Sequence, residues 1–246
     1  MLLSQIKDHF DHRAEKYESS ARWVKDERIF TIVKDLSCVK AAYRVLDVAC
    51  GTGIIAGLFF KKAKRVIGLD VTEAMFTQAL LKLDDIVNAQ SELLPFRDSV
   101  FDLVTCRQGL QFMDAAAAVA QMYRVCKQGG KIILIQLAAF GQEDKEYAFK
   151  IQMARQPVRE NCFLEEDLVN LLREAGCKKI KSQPFYSQES VNEWIDNGAL
   201  PPERQLEIKK LYYAAPASFK KIHELQFLGH DVIDTMKIAI VCGYKN

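Results

Sequence analysis

The chain has 246 residues, 49% hydrophobic and 27% charged, the balance of a soluble globular protein with a sizeable core. Its 34 basic and 32 acidic residues leave a formal charge of +2, which gives no electrostatic drive toward a nucleic acid or an anionic membrane. The opening "MLLSQIKDHF" lacks the apolar core of a signal peptide, and no uncharged apolar run approaches the ~20 residues of a membrane span.

In chain order, residues 1–40 read as an N-terminal helical segment, and "YRVLDVA" (43–49) as the first strand. A helix is predicted near 53–62, a strand at "RVIGLD" (65–70), a helix over 73–83 and a strand at "DDIVNA" (84–89). "VFDLVTC" (100–106) is the next strand, followed by a helix over 114–127 that closes at Gly129 and Gly130, and by the strand "KIILIQL" (131–137). This alternation predicts βαβ units and a doubly wound, Rossmann-like α/β sheet. A helix near 165–175 ends at Gly176 and leads to a strand at 178–186; "KIAIVCGY" (237–244) is a final strand, expected to insert antiparallel and complete a seven-stranded sheet. Segments 138–164 and 187–235 read as helical insertions of one domain spanning 1–246. They carry Phe140, Tyr147, Phe149, Trp194, Tyr212, Tyr213 and Phe219, and are expected to cap the carboxyl ends of the strands, where open α/β sheets bind ligands.

Seven cysteines (38, 50, 106, 126, 162, 177 and 242) contain no C-x-x-C pair, which argues against a full disulfide framework and supplies no zinc-ligand spacing. Free thiols in a reducing cytoplasm are expected.

Chemistry concentrates at "VLDVACGTG" (45–53). Gly51, Gly53 and Ala56 satisfy G-x-G-x-x-[GA], and Asp70 closes the next strand nineteen residues after Gly51, the spacing of a nucleoside-binding βαβ unit. Asp47 separates two ligands. A dinucleotide would bring its pyrophosphate beside this acid, at about 4 kcal/mol per pair of like charges ~4 Å apart with an effective dielectric near 20. A cofactor with an ammonium group near the turn reverses the sign. S-adenosylmethionine (SAM) meets that condition, with an adenosine for Asp70 and an amine for Asp47, held directly or through water.

These stretches resemble the class I SAM-dependent methyltransferases of the small-molecule type, among them the ubiquinone/menaquinone C-methyltransferases and the malonyl-carrier-protein O-methyltransferases. "VLDVACGTG" is similar to the first motif of that family and "GLDVTEAMFTQA" (68–79) to the second. "AQSELLPFRDSVFDLVTC" (89–106) and "MYRVCKQGGKIILI" (122–135) resemble its later blocks, and "FDHRAEKY" (10–17) an N-terminal segment that folds over the cofactor. The resemblance implies that Asp47 lies near the methionine amine and that Ala49, Gly51 and Gly53 form the turn against the cofactor. It further implies that Asp70 holds the ribose, Val71 and Met75 pack on the adenine, Gln90 and Ser91 replace the usual Asp-Ala pair at the adenine amino group, Arg107 neighbours the methionine carboxylate, and Tyr17 closes over the site. Where the quinone enzymes carry an Arg-Asn pair, this chain reads "CRQGLQFM" (106–113).

The expected activity is methyl transfer by in-line displacement to carbon, oxygen or nitrogen of a small molecule, with S-adenosylhomocysteine as the other product. An NAD-dependent oxidoreductase and a SAM-binding protein without turnover are the alternatives. Tyr123 and Lys127 have the Y-x-x-x-K spacing of short-chain dehydrogenases, but precede the fifth strand where those enzymes carry the pair after it. Cys106 lacks the preceding proline of cytosine C5-methyltransferases. His9 and His12, three apart on one helix, are candidates for a general base, and Gln111 and Phe112 for the wall beside the methyl group. The lysine pairs 209–210 and 220–221 could meet an acidic acceptor or carrier protein, or form solvated helix faces.

Overall fold

A computed structural model describes residues 3–13, 18 and 21–246. Five parallel strands form one side of the sheet: β1 (Arg44–Val48), β2 (Arg65–Asp70), β3 (Asp85–Asn88), β4 (Phe101–Arg107) and β5 (Cys126–Ala139). The short β6 (Phe163–Leu164) pairs with the end of β5. β7 (Lys178–Ser190), β8 (Gln226–Leu228) and β9 (Asp231–Tyr244) follow. The main order is β3-β2-β1-β4-β5-β9-β7, so the last strand inserts antiparallel between β5 and β7, as expected from its late position. β8 is an additional short strand on β9.

The central strands are apolar on both faces because helices and turns cover both sides of a parallel sheet. Val45 of β1 packs with Leu103, Ile133 and Ile135 in one cluster. Leu46 and Val48 pack with Val104, Cys106, Ile132 and Leu134 in the other. Asp47, on the face of Val45, is 2% exposed. A charged group at so buried a strand position requires partners, and these define the site below.

The local structure departs from expectation in three places. Residues 53–62 form turns with one 3-10 segment, Ala56–Leu58, instead of a regular helix. Glycines at 53 and 57 and the β-branched pair Ile54-Ile55 give this stretch low helix propensity. Residues 73–83 give a 3-10 turn, Glu73–Met75, and a single helical turn α3 (Phe76–Ala79). Gly129 and Gly130 do not close the preceding helix: α4 (Ala115–Val125) stops earlier, and both glycines lie within β5, where the register against β4 shifts. Gly129 has φ +75°, and a Cβ on Gly130 would lie 2.7 Å from Cys126 Sγ, so the irregularity needs glycine at both positions.

The N-terminal segment supplies α1 (Leu3–Asp11) and α2 (Glu27–Ser37). α5 (Gln142–Arg155), α6 (Glu165–Glu174), α7 (Val191–Ile195), α8 (Pro202–Tyr213) and α9 (Ala217–Ile222) follow β5 and β7. Most of the aromatic residues singled out in these segments pack within them. Trp194, Tyr212 and Phe219 are buried, and the Tyr147 and Phe219 rings are 5.0 Å apart. Among the described residues no helix is long and apolar enough to cross a membrane.

His223, directly after α9, ties these elements to the sheet. Its Nδ1 is 2.8 Å from Asp234 of β9, its Nε2 is 3.1 Å from Asp144 of α5, and Tyr212 donates to the other oxygen of Asp234 at 2.8 Å. Asp144 also accepts from the backbone N–H groups of Phe140 and Gly141, which caps α5. Burial opposes charge on His223, but the two carboxylates outweigh it and raise its pKa to about 9. An imidazolium stabilised this way contributes fully below the unfolded value near 6.5, and the contribution is lost as pH rises through about 9. Urea unfolding of the wild type is therefore expected to lose roughly 3 kcal/mol relative to His223→Gln between pH 6.5 and 9.5. A wild-type-to-variant difference that stays constant over that range would contradict an ion pair here.

Candidate active site

The turn after β1 is held by two acids at neighbouring strand ends. Asp47 Oδ2 accepts from the backbone N–H of Ala56 at 3.1 Å, and Oδ1 accepts from the Thr105 hydroxyl at 2.7 Å. Thr105 is its register partner on β4. Asp70 Oδ2 accepts from Gly51 N–H at 2.8 Å, and Oδ1 from Thr72 N–H at 2.9 Å. Two further turn donors stay within the backbone: Gly53 N–H reaches Cys50 O, and Gly57 N–H reaches Gly53 O. The turn thus offers the N–H groups of Gly51 and Ala56 to the protein's own carboxylates, whereas a phosphate-binding turn leaves such groups for the ligand.

Gly51 and Gly53 have φ of +51° and +76°, a region open to glycine at no steric cost. Ala49 and Gln108, at +54° and +53°, are the non-glycine residues held in that region at the cavity wall. Gly109 lets the loops after β1 and β4 touch, since a Cβ there would lie 2.5 Å from that of Ala49.

These loops enclose a cavity of about 370 Å³. Ala49, Gly51, Asp70, Val71, Met75, Gln90 and Ser91 all line it, so seven of the residues expected from the motifs converge on one space. Gly53 lies behind the turn, where a Cβ would press on the Ala79 backbone at 3.2 Å. Phe112 lines the cavity, and α1 adds Leu3, Ile6 and Phe10 as its cover, with the Phe10 and Phe112 rings meeting edge to face at 5.0 Å. Tyr17 falls outside the described residues.

Asp47 and Arg107 border a separate recess of about 10 Å³, shared with Ala49, which has room for a single water. Burial pushes the Asp47 carboxyl up to about 7, against the pull of its hydrogen bonds and of Arg107. Asp70 is likewise raised by burial. Arg107 does not line the large cavity. Its guanidinium donates to the carbonyls of Trp23 and Val24 at 3.3 and 2.9 Å and lies 5.0 Å from the Trp23 ring, tying the N-terminal segment to β4.

Four carboxylate residues line the large cavity, Asp70, Glu92, Asp114 and Glu160, and none of its described lining residues is lysine or arginine. Three of these acids were not expected from the sequence. Glu92 and Asp114 meet there because the Glu92 side chain accepts from the Asp114 backbone, a contact between loops.

The other candidates fall elsewhere. Neither His9 nor His12 lines the cavity; α1 turns Leu3, Ile6 and Phe10 toward it instead. His12 is exposed and contacts Asp8 O, and burial together with Arg13, Arg155 and His12 drives the His9 pKa down to about 3. Gln111 is buried, receives a hydrogen bond from Gln136 and donates to Gln108 O, so it supports the wall from behind. Lys127 pairs with Asp102 and Tyr123 packs near Gly176, both off the cavity. Cys106 is fully buried and burial raises its thiol pKa, which leaves it without nucleophilic character.

A protein-family profile described as a methyltransferase domain matches residues 46–134, which span β1 to β5. The chain is 28% identical over 212 residues to YcgJ of Bacillus subtilis, an uncharacterized methyltransferase, covering 81% of this chain and 82% of that one. It is 33% identical over 139 residues to the ubiquinone/menaquinone biosynthesis C-methyltransferase UbiE of Serratia proteamaculans, covering 50% of this chain and 55% of UbiE. The crystal structure of YcgJ superposes with a TM-score of 0.83 at 21% identity over 90% of this chain and 99% of YcgJ. That of BH2331 from Bacillus halodurans superposes at 0.81 and 23%, over 88% and 98%. The matched strands are those that build the cavity: the methyltransferase-domain profile spans β1 to β5, and the chain is similar there to named methyltransferases and shares their fold.

Proposed function

We propose that the protein binds SAM in the large cavity and transfers its methyl group to carbon, oxygen or nitrogen of a small-molecule acceptor. The observation that carries this reading is the charge of the wall: four acids and no cation among the described lining residues. A dinucleotide pyrophosphate would meet like charge there, while a sulfonium cofactor carries net positive charge. This disfavours the NAD-dependent alternative on electrostatic grounds. The UbiE relatives are named for carbon methylation, but the match covers about half their length, so the acceptor atom is left among the three.

The residues present fit the cofactor. Asp70, at the edge of the cavity, keeps lone pairs for the ribose hydroxyls after accepting from Gly51 and Thr72. Val71 and Met75 offer an apolar face to the adenine, with Gln90 and Ser91 at its edge. Asp47, behind Ala49 in a recess the size of one water, is placed for an amine held through that water. When bound, SAM would supply an electrophilic sulfonium methyl: the acceptor's electron pair forms the new bond to the methyl carbon, in line with the C–S bond, whose pair leaves with the neutral thioether. The leaving group gains no negative charge, so the chain needs no oxyanion hole. Its task is to align the acceptor and exclude water, and the cover of Leu3, Ile6 and Phe10 suits the second.

Calorimetry with S-adenosylhomocysteine and NADH tests the assignment. S-adenosylhomocysteine is expected to bind and NADH not to bind, and Asp70→Ala to weaken the former roughly a hundredfold by removing two or more charge-assisted hydrogen bonds. Binding of NADH with indifference to S-adenosylhomocysteine would refute the reading; cofactor binding without transfer to any acceptor would leave a SAM-binding protein.

The Asp47 pKa gives a second test with a definite sign. Below about 7 the free protein holds a proton on Asp47, and an ammonium ligand favours the carboxylate, so binding at pH 6 releases that proton. Affinity for S-adenosylhomocysteine is expected to rise about tenfold from pH 6 to pH 8 in the wild type, and to be flat in Asp47→Asn. Equal pH profiles for the two proteins would remove Asp47 from the amine site.

A further inference from the structure

Behind the cavity wall lies a second chamber of opposite charge. It measures about 30 Å³, and its described lining includes Arg13, Arg155 and Arg159 but no carboxylate. All three arginines are buried; Arg159, at 3% exposure, is the one that carries the argument, since a cation so buried is ordinarily matched by an acid. Arg159 has no carboxylate among its hydrogen-bond or charge partners. Its two Nη atoms donate to Asn161 O and Gln156 Oε1, and its buried Nε has no partner. Gln108, which lines both the chamber and the large cavity, likewise has a buried Nε2 with no partner. Two unmet donors therefore stand at one small space, in a protein interior where unmet donors are uncommon.

The surroundings reinforce the positive field. Besides burial, Arg13 and Arg155 hold His9 in its neutral form. The chamber's aromatic walls are already engaged on their faces by cations: Arg155 lies 4.4 Å from the Trp194 ring and Arg159 5.9 Å from that of Phe112. Its volume holds about two waters, the bulk of one carboxylate group. Phe10, Gln108 and Phe112 are common to both cavities, so a ligand seated in the chamber ends against the wall of the large one.

We propose that this arginine chamber is the acceptor's anchor: the methyl acceptor is a small molecule bearing one carboxylate, which seats against Arg159 and Gln108 within the field of Arg13 and Arg155. This rests on the methyl-transfer reading and extends it to substrate class. The two cavities then divide the charges, acids around the cationic cofactor and arginines around the anionic acceptor, which places each ligand in one space and rejects it from the other. The carboxylate is held by its oxygens and spent on recognition, and the nucleophilic atom lies at the other end of the molecule, toward Phe10 and Phe112.

The protein carries its own reporter, because its two tryptophans, Trp23 and Trp194, both line the chamber. Tryptophan emission is titrated with benzoate and, separately, with its neutral isostere benzamide. Benzoate is expected to give a saturable change and benzamide none. Arg159→Met should weaken benzoate roughly tenfold or more, the value of one charge-assisted hydrogen bond, while S-adenosylhomocysteine binding is retained. If Arg159→Met does not fold, Arg159→Lys is read in its place, with a smaller loss expected because the charge stays while the planar fork goes. Equal responses to the two probes, no saturable response to benzoate, or benzoate affinity unchanged by the Arg159 substitution would each overturn the anchor. Failure of S-adenosylhomocysteine to bind, with the benzoate response intact, would instead refute the methyl-transfer reading and leave a carboxylate site.

Discussion

Two buried carboxylates bonded to one backbone turn are the constraint on which the site depends. Asp47, next to last in β1, and Asp70, the last residue of the neighbouring parallel β2, each take a backbone N–H of the turn between those strands, from Ala56 and Gly51. The usual cost of burying a carboxylate is offset by donors that would otherwise need a ligand or water. The turn is thereby shaped before any cofactor arrives, and its electrostatic character is negative where a phosphate-binding turn is positive. Ala49 and Gln108, held at positive φ on the loops after β1 and β4, show the strain that this close approach of loops imposes.

The rest of the cavity follows from that frame. Gly109 permits the β4 loop to meet Ala49, which carries Gln108 and Phe112 to the partition between the two spaces. On one side the wall is acidic; on the other, three arginines gather from two parts of the chain, after α1 and at or just beyond the end of α5.

The covering elements are held by interactions of a different kind. Arg107 binds the backbone of Trp23 and Val24, and Glu189 of β7 accepts from the N–H groups of Arg22 and Trp23, so both strands grip the same N-terminal turn. On the opposite side His223 locks α5, α9 and β9 together through two acids. Arg107, the last residue of β4, thus ties the N-terminal segment to the sheet.

The strand pattern, the glycine turn and the spacing from Gly51 to Asp70 were legible in the sequence, because a buried parallel strand must be apolar throughout and a tight turn must carry glycine. From these a doubly wound parallel sheet could be read, with an antiparallel last strand from the late strands' placement, while the residues near β1 and β2 that line the cavity were named through the family resemblance. The turns at 53–62 and the bulge at Gly129 and Gly130 could not, since helical spacing says nothing of the packing that overrides weak propensity. Nor could the bonds from Arg107 to the backbone of Trp23 and Val24, the acidic wall of Glu92, Asp114 and Glu160, or the chamber of Arg13, Arg155 and Arg159. Charges distant in the chain become a site only when folding brings them to one space and removes water from between them. Local periodicity determined the scaffold of this protein, and long-range packing alone decided where its charges meet.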